Sequence, residues 1–243
     1  MPPPYQAVFF DLGGTLFSYR EVGRWTLDAL VSAAARLGVD ASTREIGTAY
    51  RAASREVNLG YADRAFYLHS DLFRDTFRAF AEGLGGEASE EFLDGSVADL
   101  RDALVSNMVL REDCLETLRQ LRDQGLYLSI VSNIDDDHLL PMVENSGLKQ
   151  VLHDWTSSEE ARSCKPDPAF FRLALKKAGC SPEAVLFVGD SPEHDIHGAQ
   201  NLGMTTALIK EEGTTAPLQT GRVTAAPDHE ISSLSELISL VSR

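Results

Sequence analysis

Apolar residues along this chain follow two rhythms. Short, nearly unbroken apolar runs occur at Val8-Phe9-Phe10, Tyr127-Leu128-Ser129-Ile130-Val131, Val185-Leu186-Phe187-Val188 and from Met204 to Ile209. Runs of this length read as buried strands. Helical spacing fills the intervals. Cys114 to Asp123, Asp137 to Glu144, Asp167 to Ala178, His194 to Leu202 and Leu234 to Val241 each repeat apolar residues at a helical period, and Gly125, Gly147, Gly179 and Gly203 act as stop signals. Strands rich in Val, Ile, Leu and Phe that alternate with helices predict an α/β fold with a parallel sheet covered on both faces. Residues 211–227, with Gly, Thr and Pro, read as a loop.

One stretch breaks this alternation. From 18 to 106 the spacing is helical throughout. Trp25, Leu27, Leu30, Val31, Ala34 and Leu37 mark a first helix. Ser42-Thr43-Arg44-Glu45 opens a second as a cap with an acidic first turn. Leu68, Leu72, Phe73, Phe77 and Phe80 form the inner face of a third, and Glu90 to Asn107 a fourth. The expected organisation is a sheet core over 1–17 and 107–243, interrupted by an all-helical cap over 18–106. A cap inserted there is placed to close over the carboxyl edge of the sheet and exclude water.

Three strands end in polar groups that a parallel sheet brings to one edge. The first runs into Asp11-Leu12-Gly13-Gly14-Thr15, the second into Ser132-Asn133, and the third into Gly189-Asp190-Ser191, with Asp195 four residues after Ser191. Lys165-Pro166 lies between the second and third. A Gly-Gly turn exposes backbone amides. Asp11 and Asp190 suit a hard cation such as Mg²⁺. Ser132, with its neighbour Asn133, and the turn at Gly14 and Thr15 suit phosphate oxygens, and Lys165 balances the gathered negative charge. In that arrangement Asp11 is a nucleophile that forms an aspartyl phosphate.

Charge narrows the substrate class. The formal net charge is −15, which disfavours a nucleic-acid backbone or an anionic membrane as partner; an anionic substrate, such as the small phosphorylated metabolite that the phosphate-binding groups above suit, must be received by local groups. Cys114, Cys164 and Cys180 are widely spaced without a C-x-x-C pair, so reduced thiols in a cytoplasmic protein are the simplest account. Met1 to Tyr5 carries no basic region followed by an apolar one, so no secretory signal is read there. Asp135-Asp136-Asp137 reads as a solvated helix start, and Arg20 and Arg24 are candidates to reach a substrate anion.

The words DLGGTL, SN, KP and GDSPEHD, in that order and with a helical insert after the first, resemble the haloacid dehalogenase-like (HAD) hydrolase superfamily in its capped phosphatase-like branch. The resemblance spans essentially the whole chain. It implies a Rossmann-like core with a mobile helical cap, Asp11 as nucleophile, Thr15 and Ser132 as phosphate-contacting hydroxyls, Lys165 as the motif lysine, and Asp190 as the acidic metal ligand. Ser191 and Asp195 are implied to support that loop.

The chain departs from the usual Asp-x-Asp-Gly-Thr pattern at Gly13. In the family the second aspartate protonates the leaving group, and its backbone carbonyl binds Mg²⁺. Gly13 keeps only the carbonyl. Losing a general acid–base group typically costs about 10²–10⁴-fold in rate. The resemblance thus implies slow turnover of alkyl esters unless another group, such as Tyr19, Glu21 or His69, takes over, and it predicts that Gly13→Asp raises that turnover. Two alternatives stay open: a 2-haloacid dehalogenase-like hydrolase, and a catalytically retired binding or regulatory protein. A Schiff-base branch is disfavoured because 18–106 contains no lysine.

Overall fold

The structure, a computed structural model, describes residues 5–213, 219, 221 and 225–242. Met1 to Pro4 and much of the expected loop over 211–227 lie outside the described residues. Six parallel strands form one sheet: β1 (Ala7–Phe10), β2 (Tyr127–Ser132), β3 (Asp154–Ser157), β4 (Val185–Gly189), β5 (Thr205–Ile209) and β6 (His229–Ile231). Their order is β3-β2-β1-β4-β5-β6. The order reverses between β1 and β4, and such a switch point opens a crevice at the carboxyl ends of the strands. Phe10 pairs with Ile130 on one side and Val188 on the other. The residues that follow, Asp11, Ser132 and Asp190, therefore emerge at neighbouring positions along that edge.

Every residue of β1 and β4 is buried, as strands covered on both faces require. Helix α8 (Pro168–Ala178) packs on β2 and β3. Its Phe170 and Phe171 join Phe9, Val131 and Phe187 in a single apolar cluster. Helix α5 (Cys114–Asp123) also packs on β2, and the short closing helix α10 (Leu237–Val241) packs on α5. No helix among the described residues is long and apolar enough to cross a membrane.

The chain divides into two compact units, residues 1–19 with 109–243, and residues 20–108. Their boundaries fall two residues later than the expected ones. The second unit consists of α1 (Val22–Arg36), α2 (Thr43–Tyr61), α3 (His69–Gly83) and α4 (Glu90–Asn107). A capping box between Ser42 and Glu45 starts α2. Leu30, Ala33, Phe77, Phe80 and Leu93 form the unit's buried core. Phe77 meets Phe80 and Phe92 edge-on, at ring separations of 6.1 and 6.3 Å. Arg74 of α3 binds both Glu90 and Asp94 of α4. Val31, expected on the inner face of α1, is 39% exposed, and Ala33 is buried instead.

Three expectations are corrected. The strands β3 and β6 escaped the apolar pattern because they are short and lie at the two sheet edges, where a strand is covered less completely: Asp154 and Trp155 are only partly buried, and Glu230 is exposed. The expected helix from His194 to Leu202 is a wide turn over Pro192–Ile196 followed by α9 (His197–Gln200). In the wide turn Ile196 N–H donates to the Ser191 carbonyl, five residues back, and this widening lets Asp195 point inward. The acidic run before α6 (Asp136–Asn145) is solvated only in part, since Asp135 is 3% exposed.

Candidate active site

The local fold around Asp11 begins with a ladder that runs one residue past β1: Asp11 N–H donates to the Val188 carbonyl at 2.9 Å. The chain then turns tightly through Gly13 and Gly14. Gly14 has φ of +77°, and a Cβ there would lie 2.6 Å from Asp190 Cγ and 2.6 Å from Tyr19 Cε2. Only glycine meets both conditions. Leaving the turn, the chain pairs with its own return: Ser18 N–H donates to the Val109 carbonyl and Arg111 N–H to the Leu16 carbonyl, each at 2.9 Å. Arg111 also clamps the turn from outside, donating from Nε to the Thr15 carbonyl at 2.9 Å and from its terminal nitrogen to the Gly14 carbonyl at 2.6 Å.

The groups expected at the strand ends converge on Asp11. Ser132 Oγ donates to Asp11 Oδ1 at 3.0 Å, and Thr15 Oγ1 reaches Oδ2 at 3.5 Å. Lys165 Nζ lies 2.7 Å from Asp11 Oδ1 and 2.6 Å from Asp195 Oδ1. Burial opposes the charge on Lys165, but Asp11 and Asp195 outweigh it and hold the amine above its ordinary range. Asp195 Oδ2 accepts from the Ser191 backbone N–H at 3.0 Å. Its approach requires Gly189, where a Cβ would lie 2.5 Å from Asp195 Cβ. Asn133, expected beside phosphate, brackets the lysine backbone: its amide donates to the Lys165 carbonyl at 3.1 Å, and its oxygen accepts from Lys165 N–H at 2.7 Å. Ser191 Oγ accepts from His194 N–H at 3.0 Å, so it caps the wide turn. His194 and His197 provide no atom to the acidic cluster.

Asp11, Asp190 and Asp195 bring carboxylate oxygens within 4.8 Å of one another. Three carboxylates thus share one ammonium, and the deficit of positive charge shows in the titration of Asp190 and Asp11. Burial, then the charges on Asp11 and Asp195, push Asp190 up to about 9. Burial also lifts Asp11, with Lys165 pulling the other way and Asp195 adding to the lift. A crowded set of hard oxygen donors short of positive charge fits a divalent cation such as Mg²⁺.

Residue reasoning did not single out Arg111 or Glu211, and it left Tyr19 as one of several candidates. A Cβ on Gly13 would meet Tyr19 Cζ at 3.0 Å and the Tyr19 hydroxyl closer still. The place of a residue-13 side chain is therefore taken, and Gly13→Asp alone cannot be a simple restoration of the usual motif. Glu211, with a side chain only 4% exposed, holds this segment by accepting from Ser18 Oγ at 2.7 Å and from Tyr19 N–H at 3.1 Å. No sequence signal ties these residues together, because 192 positions separate Tyr19 from Glu211.

A family model described as haloacid dehalogenase-like hydrolase matches residues 5–203. The chain is 29% identical to a ribulose-1,5-bisphosphate 5-phosphatase of Halopiger xanaduensis, over 97% of this chain and 99% of that protein. It is 27% identical to (S)-2-haloacid dehalogenase 4A of Burkholderia cepacia, over 98% and 95%. The fold is similar to that of a magnesium-bound putative HAD-hydrolase, YfnB of Bacillus subtilis, with a TM-score of 0.76 at 21% identity over 98% and 99% of the two chains. The motif words, the sheet order, the convergence on Asp11 and the match over most of the chain lead to one conclusion: this chain belongs to the haloacid dehalogenase-like hydrolase family and is a hydrolase.

Proposed function

We propose that this hydrolase is a Mg²⁺-dependent phosphatase that acts on a small phosphorylated metabolite through an aspartyl phosphate at Asp11. The observation that carries the reading is the set of three carboxylates around one lysine at the carboxyl edge of the sheet. A carbon-centred displacement has no need of so many negative charges, whereas a bound cation and a phosphoryl group do. Asp11, the Gly13 carbonyl and Asp190 would hold the ion, and Asp195 would steady Lys165. When bound, Mg²⁺ supplies charge neutralisation and orientation of the phosphoryl group.

The chain's own residues do the remaining work. The Asp11 carboxylate attacks phosphorus and becomes the acyl phosphate, which water then hydrolyses. Lys165 balances charge on the phosphoryl oxygens, and Ser132, Thr15 and the backbone amides of the Gly13-Gly14 turn donate to them. Gly13 brings no acid to the leaving oxygen, so aryl and acyl phosphates are favoured over alkyl esters. The phosphatase relative from Halopiger supports a phosphorylated substrate, and the net charge of −15 supports a small one over a nucleic acid or a membrane. Cys114, Cys164 and Cys180 form no disulfide, in keeping with a reducing cytoplasmic setting.

A second reading, hydrolysis of a 2-haloacid, is favoured by the missing carboxyl at Gly13 together with the dehalogenase relative from Burkholderia. Two assays separate them. Phosphate release from p-nitrophenyl phosphate or acetyl phosphate that requires Mg²⁺ and disappears in Asp11→Asn supports the phosphatase. Chloride release from 2-chloropropionate without metal overturns it. Ligand binding with neither activity points to a retired scaffold.

A further inference from the structure

We propose that Tyr19 is a further catalytic residue of this site: its hydroxyl stands where a residue-13 side chain would stand and donates a hydrogen bond to the leaving-group oxygen of the substrate. The assignment rests on the phosphatase reading above. Its ground is steric. The Tyr19 ring passes over both glycines of the turn, 3.0 Å from a Cβ built on Gly13 and 2.6 Å from one built on Gly14. The ring thus fills the volume that the two absent side chains leave.

Tyr19 is anchored through its backbone. Its backbone N–H and the neighbouring Ser18 hydroxyl both bind Glu211. Glu211 faces Arg111 at 3.9 Å, and Arg111 in turn holds the Gly14 and Thr15 carbonyls. The backbone that carries the ring and the turn beneath it are therefore tied to the same pair, whose side chains are 9% and 4% exposed. A donor fixed in advance costs little reorganisation when charge develops near it. The hydroxyl makes no hydrogen bond to any described residue, so its proton is available to a ligand.

In the step concerned, the bond from Asp11 to phosphorus forms as the bond from phosphorus to the leaving oxygen breaks. The leaving oxygen takes the electron pair, Tyr19 stabilises it through the O–H, and solvent water supplies the proton. Tyr19 remains a phenol throughout. A tyrosine that merely plugs the space above Gly13 would look the same in the structure but would not distinguish one leaving group from another.

The test is Tyr19→Phe in the full-length protein with Mg²⁺, assayed on p-nitrophenyl phosphate and on glycerol phosphate. The nitrophenolate delocalises its charge and needs little help; the alkoxide needs much. The loss in kcat on glycerol phosphate should exceed the loss on p-nitrophenyl phosphate by roughly tenfold or more, with the melting temperature retained. Equal losses, or none, overturn the assignment and leave the phosphatase reading standing. So does wild-type activity confined to p-nitrophenyl phosphate. A wild type that hydrolyses neither ester removes both.

A second arm tests the shared space. Gly13→Asp alone should lower the melting temperature, because the new side chain meets the ring. Tyr19→Ala should absorb Gly13→Asp without that penalty, and the pair should turn over glycerol phosphate at least about tenfold faster than Tyr19→Ala alone. A double variant less stable than Tyr19→Ala, or no faster than it on glycerol phosphate, overturns the claim that the two groups occupy one place.

Discussion

Asp195 and Lys165 form an ion pair of 2.6 Å with side chains only 1% and 2% exposed, so the last acidic residue of the GDSPEHD word serves the lysine. Removing one partner of a buried pair leaves the other uncompensated. Lys165 keeps Asp11 at 2.7 Å, which places the effect at the lower end of the usual range. Asp195→Ala should cost about 3 kcal/mol of folding stability, measured by urea denaturation, and should lower turnover as Lys165 loses its anchor.

The acidic cluster makes metal-free stability depend on pH with a definite sign. The folded-state pKa of Asp190 is raised to about 9 from an ordinary carboxylate value of 3.8. The folded protein therefore holds a proton that the unfolded chain has released. Its contribution is fully present below about pH 4 and is lost as pH rises towards 9. Asp11, also raised, acts in the same direction. Melting curves in EDTA should show Tm falling across that window, with a flatter profile in Asp190→Asn. An unchanged profile in that variant contradicts the assignment.

Mg²⁺ should reverse the trend, because a cation that binds the folded state alone stabilises it and competes with the proton. The rise in Tm on adding millimolar Mg²⁺ should be larger at pH 8 than at pH 5. It should be largely lost in Asp190→Asn. Isothermal titration calorimetry in two buffers of different ionisation enthalpy would report the accompanying proton release.

Gly14 should be intolerant of alanine. Its φ of +77° strains any side chain, and the added Cβ would press on Asp190 Cγ and Tyr19 Cε2 at 2.6 Å. Gly14→Ala should destabilise by at least about 1–3 kcal/mol and depress phosphate release more than Gly125→Ala, a control whose φ is also positive but whose surroundings are open.

In the helical unit, Phe77 is fully buried against Phe80 and Phe92. Phe77→Ala should cost about 3–5 kcal/mol, from lost transfer energy and the cavity left behind. Thermal unfolding followed by far-ultraviolet circular dichroism would measure it.

The parts of this fold legible in the sequence are those where burial is complete. β1 and β4 show as apolar runs because both faces of each strand are covered, and α2 shows its start because Ser42 and Glu45 form a capping box. Chemistry was legible for a related reason: Asp11 and Asp190 each follow directly on a strand and Ser132 ends one, so strand direction alone delivers them to one edge. The edge strands β3 and β6 were not legible, since partial cover leaves no apolar run to read.

By itself, the sequence determined the parallel sheet, the all-helical segment and the set of groups around Asp11, because each depends on local periodicity or on the order of motifs along the chain. Only the tertiary structure decided what each group does within the set. It turned Asn133 onto the Lys165 backbone, paired Asp195 with Lys165, and laid Tyr19 over Gly13 and Gly14. These relations arise from contacts between residues far apart in the chain, such as Lys165 with Asp11 and Tyr19 with Glu211, and no local pattern encodes such distances. The missing side chain at Gly13 reads in the sequence as a loss. In the folded protein the same absence is the space in which Tyr19 sits.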